Sequence, residues 1–104
     1  MPSRFTALPL AIGEAFVLET DHNGKRWVIL YDGGQNTGIG PKNEQYALIR
    51  EHCPEIGKRI DIAVCSHSDR DHSGGFPDLI ETWVSEGGEI GEFWLPAQWS
   101  PALP

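Results

Sequence analysis

Asn23-Gly24 separates two β-rich runs, Glu14-Ala-Phe-Val-Leu-Glu-Thr20 and Arg26-Trp-Val-Ile-Leu-Tyr31. Asn-Gly readily adopts the positive φ angles of the two-residue turn whose twist matches a pair of antiparallel strands. The chain is thus committed to a hairpin within its first third, and later elements must be added to that ribbon. The second run is apolar without a break from Trp27 to Leu30, which predicts a strand buried on both faces. Asp32-Gly33-Gly34 ends it abruptly, and a Gly-rich loop runs on to Pro41.

The rest of the chain alternates helix and strand. Asn43 is placed to cap a helix whose apolar positions Tyr46, Ile49 and Cys53 follow i, i+3, i+7, and Pro54 stops it. Ile60-Asp-Ile-Ala-Val-Cys65 reads as a short strand. Phe76, Leu79, Ile80, Trp83 and Val84 then recur at i, i+3, i+4, i+7 and i+8, with Pro77 suited to the first turn and Gly87-Gly88 to the end. Ile90-Gly-Glu-Phe-Trp-Leu95 is a last strand. Strands alternating with helices predict an α/β (α+β) fold, a mixed sheet covered by helices. Trp27, Trp83 and Trp94 are expected in its core, and Trp99 in a Pro-rich tail. His22, in the hairpin turn, and His52, late in a helix, read as solvent-facing.

At 104 residues the chain is one domain at most, with a modest core. Its formal net charge of −7 argues against a broad electrostatic grip on nucleic acid or on an anionic membrane. It leaves open a local anion site built on a metal ion, which brings its own charge. No signal-peptide pattern opens the sequence and no run approaches the ~20 apolar residues of a membrane span, so a cytoplasmic protein with no membrane partner is expected. Cys53 and Cys65 have no CxxC spacing and read as small buried hydrophobes.

The chemistry is concentrated in SHSDRDHSGG, positions 66–75, with His67, Asp69, Asp71 and His72 inside six residues. Carboxylates this close repel each other unless positive charge lies between them. Arg70 supplies part of such a charge, and a metal ion would supply all of it. His67 and Asp69, two apart, point the same way in extended backbone and can reach one ion. Asp71 and His72 are adjacent, so they converge only through a turn, which Gly74-Gly75 favour. Mixed imidazole and carboxylate donors suit Zn²⁺, Mn²⁺ or Fe better than Mg²⁺ or Ca²⁺.

Other readings compete. Asp69-x-Asp71-x-Ser73-Gly74 matches the first six positions of an EF-hand calcium loop, but position twelve is Ile80 instead of a bidentate Glu, and the preceding segment reads as a strand. A phosphatase-type Asp-x-Asp nucleophile belongs at a strand tip, and these carboxylates lie four and six residues beyond Cys65. A solvated polar loop explains Ser, Asp and Gly, but not two His flanking two Asp. GGQNTGIG lacks the full spacing of a phosphate cradle and reads as a plain loop.

SHSDRDHSGG resembles the His-x-His-x-Asp-His signature of the metallo-β-lactamase superfamily, with its usual Gly-Gly following. GEAFVLET, the Asn-Gly turn and WVILYDGG are similar to the opening hairpin of that family, which ends in an Asp-Gly loop near the metals. IDIAVCSH is similar to the strand that delivers the motif, and FPDLIETW and IGEFWLP to the next helix and strand. The nearest variety is the hydrolase-like domain of bacterial DNA-uptake competence proteins, whose motif also reads His-x-Asp-x-Asp-His. The resemblance implies two divalent ions, Zn²⁺ or Mn²⁺. His67 and Asp69 would ligate one ion, Asp71 and His72 the other, and Asp32 would support the site from behind. It implies hydrolysis by metal-activated water, with Asp71 helping to orient and deprotonate that water and a small-molecule ester or phosphodiester as substrate.

Two departures from the family pattern matter. Its second His is Asp69 here, which makes the first metal position harder and shifts preference toward Mn²⁺ or Fe. The family domain is also a four-layer αββα sandwich of two similar halves, and residues 1–104 correspond to the N-terminal half, a truncated domain. The expectations are therefore a metallo-hydrolase fold whose chain is incomplete as an enzyme, partnered by a second half-domain or by another copy. A non-catalytic metal-binding or interaction module and a calcium-binding loop protein are the alternatives.

Overall fold

Asn23 and Gly24 both take positive φ, 52° and 77°, and close the hairpin between β2 (Phe16–His22) and β3 (Lys25–Tyr31). The computed structural model describes residues 3–11, 13–35, 37–66 and 75–95. Further elements are β1 (Arg4–Ala7), α1 (Glu44–His52), a 3₁₀ turn over Pro54–Ile56, β4 (Arg59–Val64), α2 (Phe76–Ser85) and β5 (Glu89–Trp94). The strands form one sheet in the order β1-β2-β3-β4-β5. The first three are antiparallel, and β4 and β5 add in parallel through the α1 and α2 crossovers. The fold is thus α+β, a mixed five-stranded sheet with two helices.

Not foreseen from the sequence is β1. Its four residues carry too short an alternation to stand out, and it is held by register, Arg4 to Ala7 pairing Glu19 to Phe16, and by a stack of Phe5 on Phe16 with centroids 5.4 Å apart.

The helices form as expected. The Asn43 side chain accepts the Tyr46 N–H at 2.9 Å, an N-cap. Ile49 and Cys53 of this segment and Phe76, Leu79 and Trp83 of α2 close on Val17, Val28, Leu30, Ile60 and Ala63 of the sheet. Burying Trp83 and Leu79 stabilises the fold by about 1.5–3 kcal/mol each. The indole N–H of Trp83 remains satisfied, donating to the Lys58 carbonyl at 2.9 Å. Both cysteines are buried thiols outside any disulfide. Burial pushes the Cys53 thiol above its ordinary range.

Three expectations are corrected. β3 is not buried on both faces: Val28 and Leu30 are buried, while Trp27, Ile29 and Tyr31 are half-buried on the other side. Of the three tryptophans expected in the core, only Trp83 is there. Trp94 is 54% exposed, and Trp27 lies under the Lys25 ammonium, 3.9 Å from ring centroid to Nζ. Both described helices pack on one face of the sheet, and Val84, 53% exposed, lines an open groove between α2 and β5 with Ile80, Phe93 and Leu95. The face away from the helices is apolar in two rows across the strands. Phe5, Leu18, Ile29 and Ile62 stand in register, as do Phe16, Tyr31, Val64 and Trp94.

The start of β4 departs from alternation. Ile60 and Ala63, three apart, both reach the core. The ladder to β3 begins only at Ile29–Ile62, and the Val28 N–H donates to the Asp61 carboxylate at 2.8 Å. Arg59 Nε at 2.9 Å and Lys25 Nζ at 3.4 Å complete the surroundings of that buried acid.

Candidate metal centre

Strand β4 ends at Val64 and helix α2 begins at Phe76, so the described structure leads into SHSDRDHSGG from a strand and out of it into a helix. The ends of parallel strands in such sheets face a shared crevice, where sites form. His67, Asp69, Asp71 and His72 lie outside the described residues. Both ends of their segment are described, and both rest on the loop that follows β3.

That loop begins with Asp32, whose N–H extends the β3–β4 pairing by donating to the Val64 carbonyl at 2.7 Å. Its φ is 61°, a left-handed conformation that Asp tolerates better than most residues but that costs about 1 kcal/mol. The carboxylate is 5% exposed. Its Oδ1 accepts the Ser66 N–H at 2.8 Å, and the Ser66 hydroxyl stands 2.9 Å from both carboxylate oxygens. Asp32 thus grips the residue that precedes His67.

Gly34 holds the other end, its carbonyl accepting the Gly75 N–H at 2.8 Å. The two backbones meet so closely that only glycine fits. A Cβ on Gly33 would stand 2.6 Å from the Phe76 Cα, and one on Gly75 would stand 2.5 Å from the Gln35 carbonyl oxygen. The Gly-Gly that closes the motif is therefore needed at Gly75 for space, since its φ of −89° is open to any residue.

The same loop is tied to α1 and α2. Gln45, fully buried, donates from Nε2 to the Gly33 carbonyl at 2.6 Å and also to that of Gln35, and its Oε1 accepts from the Thr37 hydroxyl at 2.6 Å. The Gly40 N–H donates to Thr82 Oγ1 at 2.9 Å. The described residues of GGQNTGIG form a loop, as read, but one fastened at several points. Sequence reasoning missed Ser66, Gln45 and Thr82 as parts of this frame. A Gln in the first turn of a helix reads as solvent-facing, and no local pattern marks it otherwise.

Among the described residues, no three or more His, Cys, Asp or Glu side chains gather as a metal site. The fit to a metal is judged on the donor set, two imidazoles and two carboxylates on a segment whose ends are pinned, which suits a borderline or moderately hard divalent ion. The segment before the motif is a strand, so the helix that opens a calcium EF-hand is absent at that position. Neither described helix is long and apolar enough to cross a membrane. No family model, curated protein or solved structure matches the chain.

Proposed function

We propose that this chain is the metal-binding half of a metallo-β-lactamase-type hydrolase, an αββα sandwich acting on an ester or phosphodiester. The observation that carries the reading is the junction of β4 and α2. The His/Asp segment begins at a residue bonded to Asp32 and ends at one bonded to Gly34, so the Asp-Gly-Gly loop and the motif form one unit. In the proposed site His67 and Asp69 serve one ion and Asp71 and His72 a second, Zn²⁺ or Mn²⁺. Such ions, when bound, supply a water nucleophile at neutral pH. Asp71 would orient that water and accept its proton, while Asp32 holds the start of the ligand segment through Ser66. The two apolar rows on the helix-free face of the sheet are what the second sheet of a sandwich, from a second half-domain, would cover.

Metal content after purification without chelators tests the proposal, wild type against His67→Ala/His72→Ala. The expected result is retention of Mn²⁺ or Zn²⁺ by wild type and its loss in the variant. Equal metal in both would refute the assignment, and a strong preference for Ca²⁺ would favour the calcium-loop reading. Turnover of bis(p-nitrophenyl) phosphate by the metal-loaded protein, abolished by Asp71→Ala, would establish hydrolysis by this chain.

A further inference from the structure

We infer that Gln45 is a positioning residue for the proposed metal centre, setting its metal affinity without touching the metal. The inference rests on the hydrolase reading and extends it to a residue outside the motif. Gln45 is fully buried in the first turn of α1. A buried primary amide is costly unless its donors and acceptor are used. Here both Nε2 protons are used, on the carbonyls of Gly33 and Gln35, and Oε1 accepts from Thr37. A flipped amide would set Oε1 against two carbonyl oxygens, so the orientation is determined by its partners.

All three partners lie on one stretch of loop, at positions 33, 35 and 37. That stretch follows Asp32, which holds Ser66, and contains Gly34, which holds Gly75. A Cβ on Gly75 would also stand 2.5 Å from Gln45 Nε2 itself. One side chain therefore braces the surface to which both ends of the His/Asp segment are bonded. Groups behind metal ligands commonly change affinity by about 10–100-fold when removed.

The test uses Co²⁺ as probe, with titrations followed by its visible d–d bands, and amide hydrogen exchange on the metal-free protein. Gln45→Leu keeps bulk but leaves two carbonyls unpaired. It should weaken Co²⁺ binding about tenfold or more and alter the d–d spectrum. It should also speed exchange at Ser66 and Gly75, with Val28 and Leu30 in β3 unchanged. Thr37→Val removes the hydroxyl that donates to Oε1 and that also accepts the Glu44 N–H at 3.0 Å; it should act in the same direction and more weakly, and it serves if Gln45→Leu does not fold. Ile49→Val, on the same helix and in the core, is the control, expected to lower stability without moving the affinity or the spectrum. Unchanged Co²⁺ affinity and spectrum in both Gln45→Leu and Thr37→Val would overturn the inference, whatever their stability. So would an equal effect from Ile49→Val. A wild-type protein that takes up no Co²⁺, Mn²⁺ or Zn²⁺ would fail the hydrolase reading itself, a result distinct from metal binding that is indifferent to Gln45.

Discussion

Ser66 offers both its backbone N–H and its hydroxyl to the carboxylate of Asp32, across 34 positions of sequence. The pair joins the end of β3 to the residue just before the His/Asp cluster. Asp32→Ala removes both acceptors and places alanine at a φ of 61°. Ser66 is exposed, so water can replace part of what its donors lose, and with the left-handed backbone costing about 1 kcal/mol a loss of about 1–2 kcal/mol is expected. Asp32→Asn keeps one acceptor oxygen and tolerates the backbone, and should lose under about 1 kcal/mol. Urea denaturation of the two variants measures the contrast. Equal losses would mean that Ser66 is held by something other than this carboxylate.

Gly75 supplies a second prediction, because here space and conformation point in opposite directions. Its φ of −89° is ordinary, whereas Gly40 has a φ of 114° with nothing within 4 Å of where a Cβ would stand. By conformation alone Gly40→Ala would be the worse change. By space Gly75→Ala is worse, since its methyl would meet the Gln35 carbonyl, the Gly33 carbonyl and Gln45 Nε2 at 2.5–2.7 Å. Overpacking of this kind costs about 1–3 kcal/mol. Gly75→Ala should also weaken metal uptake and Gly40→Ala should not, as metal titration of the two folded variants would show.

The hairpin, both helices and the parallel strands were legible in the sequence because each rests on a local signal. Asn23-Gly24 encodes its own turn, Asn43 its own cap, and α2 its own periodicity. β1 was not legible, since Arg4–Ala7 is a strand only by virtue of the β2 edge beside it. The placement of Trp94 and Val84 was not legible for a related reason. Hydrophobicity says that a side chain favours burial, but not whether the described fold offers anything to bury it against. The motif was the most legible part of the candidate site and Gln45 the least. Two of its three partners are loop carbonyls, which have no side-chain identity to read.

Asp69 stands where the family that the motif resembles has a second histidine, and this yields a prediction about metal choice. Carboxylate oxygen is a harder donor than imidazole nitrogen and favours Mn²⁺ relative to Zn²⁺. Asp69→His should raise the ratio of Zn²⁺ to Mn²⁺ affinity by about tenfold or more. Competition titrations against a chelator of known affinity measure that ratio. A ratio unchanged by the substitution would remove Asp69 from the ligand set.

The last prediction concerns acid stability and lies at the far end of β4, away from the cluster. Burial of Asp61 raises its carboxyl pKa, but the Val28 N–H, Arg59 and Lys25 together outweigh that effect and hold it below the ordinary value of 3.8. A carboxyl depressed in the folded state stabilises the protein above its unfolded pKa, and that contribution is lost as pH falls through the folded pKa. The advantage of wild type over Asp61→Asn should therefore be constant at neutral pH and down to about pH 5, then shrink as pH falls below 3.8. Both cationic partners are half exposed, so screening keeps the ionic part modest. Asp61→Ala should be worse than Asp61→Asn by about 1–2 kcal/mol at every pH, because it leaves the Val28 N–H, which β4 backbone does not pair, without an acceptor. Thermal unfolding of wild type and the two variants between about pH 2.5 and pH 7 separates the two effects. An advantage over Asp61→Asn that persisted undiminished at the acid end would show that Asp61 acts through its shape and its bond to Val28, and not through its charge.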